Sequence, residues 1–111
     1  MVSYHQFYPP KAVMGPEVAT QPKAIILVAD HIPRDWISLD ASHSPHIGIC
    51  TVSITGILPQ KLLLTSFYSD AIARTAEAAL LMMEPPIDRP WILAGDFNRH
   101  HHSWRRDAIE I

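Results

Sequence analysis

An α/β fold, built mainly from antiparallel strands with one packed helix, is predicted by three observations. Short apolar runs bounded by turn residues occur at residues 23–29, 62–68 and 91–94. Residues 50–55 alternate apolar and hydroxyl side chains, while residues 71–83 repeat their apolar positions at helical spacing. A strand presents alternate residues to one face and a helix every third or fourth, so the two patterns call for different elements. The order strands, helix, strand can be built as one sheet with the helix on one face. A hydrophobic content of 48% against 18% charged residues supports a packed core over an unfolded chain.

Taken in order, residues 1–22 hold Pro9, Pro10, Pro16 and Pro22 without a regular period and read as an irregular lead-in. Residues 23–29 are nearly continuous in apolar character, as in a strand covered on both faces. Residues 30–45 are polar and read as a surface connection. The alternation at 50–55 buries Cys50, Val52 and Ile54 and turns the hydroxyls to the other face. Gly56 and Pro59 break the chain before 62–68, which predicts a hairpin with a longer loop. Ser69 or Asp70 is the expected N-cap of a helix over 71–83, which packs Ile72, Ala76, Ala79, Leu80 and Met83 and is ended by Pro85 and Pro86. A buried strand over 91–94 follows.

A net charge of −2 and a pI near 6.3 give no global basic footprint of the kind that announces nucleic-acid binding. The basic residues cluster locally, with Arg99, Arg105 and Arg106 flanking three histidines. One cysteine, Cys50, excludes an internal disulfide and fits a reducing compartment. No apolar stretch approaches the ~20 residues of a membrane span, and residues 1–6 lack signal-peptide character. The expectation is a soluble, intracellular protein without a membrane partner, nuclear and cytoplasmic locations being indistinguishable.

Chemistry concentrates in Gly95-Asp96-Phe97-Asn98-Arg99-His100-His101-His102-Ser103-Trp104. These residues follow a strand, where α/β sheets usually place their sites. In an extended segment Asp96 and Asn98 project to one side, so a carboxylate that can orient or deprotonate water stands beside an amide that can meet a phosphoryl oxygen or a hard cation. The same two residues also suit an Asx turn that only satisfies backbone groups. Arginine pairs well with phosphate oxygens, which makes Arg99 a candidate substrate contact. Three adjacent histidines cannot by themselves present a tetrahedral zinc set. His5, His31, His43 and His46 read as ordinary loop polarity.

The run resembles the Gly-Asp-Phe-Asn-x-His-His-x-x-Trp signature of the endonuclease/exonuclease/phosphatase superfamily, in the form carried by endonuclease domains of non-LTR retroelements. The resemblance is specific from Leu62 to Trp104 and loose before Lys23. It implies part of a four-layer α/β sandwich at residues 23–111, and a Mg²⁺-dependent phosphodiester hydrolase acting on DNA. It further implies Asp96 as the residue that positions or activates water and Asn98 as a contact to phosphate or metal. Tyr68 would approach the scissile phosphate, and Arg99, His100 and His101 would contact substrate. Proline usually stands in place of His102 and glycine often in place of Arg105. The family's upstream Asn and Glu motifs, its downstream Asp and its terminal Ser-Asp-His motif have no counterparts here. A partial domain, inefficient alone and prone to self-association through an uncovered sheet face, is therefore expected. Two other readings stay open: a relative that hydrolyses a small phosphoester or phospholipid, and a non-catalytic remnant or interaction module.

Overall fold

In the computed structural model, residues 3–15, 21–70 and 74–97 are described. They form two sheets. Strands β1 (Tyr4–Phe7) and β2 (Ile26–Ala29) pair antiparallel as a ribbon, and a short helix, α1 (Lys11–Met14), lies between them in sequence. The larger sheet has the order β3 (Ile37–Leu39), β4 (Ile49–Ile54), β5 (Leu62–Tyr68), β6 (Trp91–Asp96). β3, β4 and β5 are antiparallel neighbours, whereas β6 runs parallel to β5 after the chain crosses over through helix α2 (Thr75–Met82).

The alternation in β4 decides the layering. Cys50, Val52 and Ile54 point to the ribbon and pack with Phe7, Ala24, Val28 and Ile37. Ile49 and Phe67, neighbours in the hairpin register, point the other way and pack with Ala76 of α2. Helix, sheet and ribbon are thus stacked in that order, a mixed α/β arrangement with mostly antiparallel strands, as in an α/β sandwich. The hairpin of 50–55 with 62–68 forms as the sequence indicates, with Val52 opposite Leu64.

Several details differ from the sequence reading. Tyr4–Phe7, within the stretch read as irregular, is a strand because it supplies the backbone partners of β2. Ile37–Leu39, within the stretch read as a surface connection, pairs with β4 and buries Ile37. Residues 23–29 are not covered on both faces: Ile25 is 42% and Leu27 49% exposed, since the ribbon packs by one face only. β6 is not a buried strand either, because it sits at the sheet edge with Ile92 53% exposed.

The hydroxyl face of β4 is also buried. Its Thr51 hydroxyl is satisfied by a relay in which Trp91 Nε1 donates to Thr65 Oγ1 (2.8 Å), Thr65 pairs with Thr51 Oγ1 (2.7 Å), and Thr51 donates to the His43 carbonyl. Since the Thr51 proton goes to His43, Thr65 donates its own to Thr51. Three strands and the turn beyond them are tied by these side chains.

Helix α2 starts at Thr75 after Arg74, which is left-handed (φ 54°) and makes no side-chain cap. The turn that Ser69 or Asp70 is expected to cap, with Ile72 in it, lies outside the described residues. Of the predicted apolar face, Ala76 is buried and Ala79 and Leu80 are half-buried against the Ile49–Phe67 cluster, while Met83 falls just past the helix end. No helix among the described residues is long and apolar enough to cross a membrane.

Candidate active site at the strand ends

Parallel pairing of β5 with β6 puts Tyr68 and Asp96 opposite each other in the last register position of the two strands. Laterally paired residues of neighbouring strands point to the same face, and here it is the face that carries the ribbon. The next backbone link, Ser69 N–H donating to the Asp96 carbonyl at 2.9 Å, holds the two strand ends together. Asp96 is exposed and Tyr68 half-buried, so the carboxylate lies within reach of solvent while the phenol packs by part of its ring.

Gly95 makes this approach feasible. Its φ of 153° is closed to most side chains, and a Cβ there would stand 1.9 Å from the Phe67 carbonyl oxygen. The strand predicted from the sequence ends at Ala94, just before this glycine. The structure instead keeps it inside β6, where its missing side chain lets the two backbones meet. Phe97 then stacks obliquely on Phe67, with centroids 4.7 Å apart at 34°, and anchors the chain just beyond Asp96.

The structure therefore brings Tyr68 and Asp96 together. Asn98, Arg99, His100 and His101 lie outside the described residues. Four residues that sequence reasoning passed over surround the same end of the sheet: Lys23, His46, Asp70 and Thr75 line a cleft of about 110 Å³ together with Tyr68. The hairpin register was the signal that could have found His46, because a β4 that starts opposite Phe67 brings its lead-in turn to Tyr68.

A second polar group, Asp40, Ser42 and His43, stands beside a larger cleft of about 600 Å³ lined by Pro45, Ala79, Met82 and Met83. Ser42 Oγ donates to Asp40 Oδ1 (2.7 Å), and His43 Nδ1 lies 2.8 Å from Asp40 Oδ2 and 3.2 Å from Ser42 Oγ. Hydroxyl and carboxylate thus converge on the same ring nitrogen, whereas a nucleophile relay needs them on opposite ones. Burial pushes the Asp40 carboxyl up, but the bonds from Ser42 and His43 outweigh it and hold it below the ordinary range. The His43 amide also donates to Asp40 Oδ1 (3.2 Å), so the group is a helix-capping turn.

The sequence profile of the Endonuclease/Exonuclease/phosphatase family matches residues 13–111, and the chain belongs to that family. Its superfamily is one of phosphodiesterase and nuclease type. No curated protein and no solved structure matches the chain significantly. Magnesium was the cofactor implied by the resemblance, and the described residues alone do not fit it: they contain no group of three or more His, Cys, Asp or Glu side chains able to hold a metal. Mg²⁺ keeps most of its waters unless several oxygen ligands are well placed.

Proposed function

We propose that this chain carries the strand-end half-site of a phosphodiester hydrolase, in its complete form a Mg²⁺-dependent DNA endonuclease of the non-LTR retroelement type. The observation that supports this most is the register pairing of Tyr68 with Asp96 at the end of two parallel strands. An exposed carboxylate there is suited to orient a water and take its proton as the water attacks phosphorus. A phenol on the same face is suited to donate to a phosphoryl oxygen as charge develops on it. Asn98 belongs to this reading as a phosphate or metal contact, and Arg99, His100 and His101 as contacts to the DNA backbone.

The chain is read as part of a domain, since one carboxylate and one phenol supply only some of the roles that phosphodiester hydrolysis needs. Purified chain with Mg²⁺ and supercoiled plasmid is expected to nick no faster than its Asp96→Ala variant. Robust nicking that disappears in the variant would show instead that the site is complete. The function itself is tested in a chimera, in which residues 62–104 replace the matching segment of an intact endonuclease of the family. Nicking retained by the chimera and lost with Asp96→Ala supports the reading, and a folded but inactive chimera sinks it.

A further inference from the structure

The turn leading into β4 lies against the end of β5, and three hydrogen bonds run through it in series. The Tyr68 amide donates to the Gly48 carbonyl (2.9 Å), and the Gly48 amide donates to His46 Nδ1 (3.0 Å). On its other side, His46 Nε2 lies 3.1 Å from Thr75 Oγ1, at the start of α2. Because Nδ1 accepts, the neutral ring carries its proton on Nε2 and donates it to the threonine hydroxyl. One imidazole therefore ties the helix start to the strand end that carries Tyr68.

Gly48 leaves this junction no slack. A Cβ at that position would stand 2.5 Å from the Tyr68 carbonyl oxygen and 2.9 Å from the Ala76 Cβ, so strand, turn and helix are already in contact. A shift of the turn must move Tyr68 with it. At a hydrolytic centre small displacements of a contact residue carry large consequences.

We propose that His46 is a positioning residue for Tyr68, acting through the Gly48 backbone and braced by Thr75. The inference rests on reading Tyr68 and Asp96 as the phosphodiester site. Protonation at Nδ1 converts that nitrogen from acceptor to donor and breaks the Gly48 bond. Burial holds the imidazole below its ordinary value, which keeps the accepting form in place near neutrality. Of the groups lining the same cleft, Lys23 opposes a charge on His46, Asp70 favours it, Tyr68 is neutral, and α2 contributes the uncharged Thr75 and Ala76.

Asparagine separates the two bonds. Its side-chain oxygen accepts from the amide two residues on, as in an Asx turn, so His46→Asn keeps the Gly48 contact without titrating and gives up only Thr75. The test follows the Gly48 and Tyr68 amide resonances of the full chain from pH 8 to 5. It also measures binding of a short DNA duplex at pH 7.5 and fixed salt. In wild type both amides are expected to shift together with a midpoint below 6.5, and in His46→Asn neither does. Duplex affinity is expected to fall about fivefold in His46→Ala and to stay within about twofold of wild type in His46→Asn, the scale of one hydrogen bond. A Gly48 amide that titrates while Tyr68 stays fixed overturns the proposal, as does His46→Ala binding like wild type. A wild-type chain that ignores the duplex while its Tyr68 amide follows His46 sinks the phosphodiester reading and leaves the His46 coupling standing.

Discussion

β4 buries all six of its residues, whereas β6, equally long and headed by Trp-Ile-Leu-Ala, buries none. Hydropathy does not account for the contrast, since β4 includes Thr51 and Ser53 and β6 includes Ile92 and Leu93. Position does. β4 has hydrogen-bonded neighbours on both edges, the ribbon on one face, and on the other a helix and the turn that carries His43 and Ser44. β6 is an edge strand among the described residues, and its ribbon-side face is left open beside Ile25 and Ile26, where a trough of about 360 Å³ runs past Leu64, Ile92 and Ala94. The dry centre fixes the sheet, and the wet edge leaves Asp96 accessible. Sites placed where a rigid element meets solvent are the general pattern.

The sharpest way to break this contrast is to remove a side chain from the dry centre. Phe67→Ala should cost about 3–5 kcal/mol, because Phe67 is 2% exposed and fills the space between Ile49, Ala76 and the Phe97 ring. Chemical denaturation measures it, and a loss under about 1 kcal/mol would mean that the sheet and α2 are not packed as described. Thr65→Val comes next, at about 1–3 kcal/mol, although it conserves shape. It strands the Trp91 indole N–H and the Thr51 oxygen that Thr65 serves. A neutral result in the same assay would remove the relay from the account of β4.

Leu80→Ala tests the helix. A fully buried leucine would cost about 2–5 kcal/mol, but Leu80 is only half-buried, and a loss of about 1–2 kcal/mol is expected. Smallest is the edge itself: Ile92→Ser should alter stability by no more than about 0.5 kcal/mol. Its effect should appear in self-association, which exposed apolar side chains such as Ile25 and Ile92 along the open trough promote. Sedimentation of wild type and variant checks this, and equal association in both would clear the β6 face of that role.

The site was legible in part. The apolar run before Gly95-Asp96 marked the strand end, a local signal of composition, while Tyr68 came from the family resemblance of the segment that ends in it. Their opposition across β5 and β6 was not local. It depends on a register set by side chains far apart in sequence, such as Trp91 over Thr65, and on the missing Cβ of Gly95. His46 was set aside as loop polarity for the same reason: its partners are a backbone amide two residues on and a hydroxyl 29 positions away.

The sequence by itself determined the element types of the middle of the chain, the hairpin of β4 with β5 and the motif that gives the family, because periodicity and turn residues act over a few positions. Tertiary structure alone decided which apolar strands are dry, that Tyr4–Phe7 and Ile37–Leu39 are strands, and that His46 and Tyr68 share one end of the sheet. Burial and register are properties of the neighbours a segment finds, and those neighbours come from distant parts of the chain.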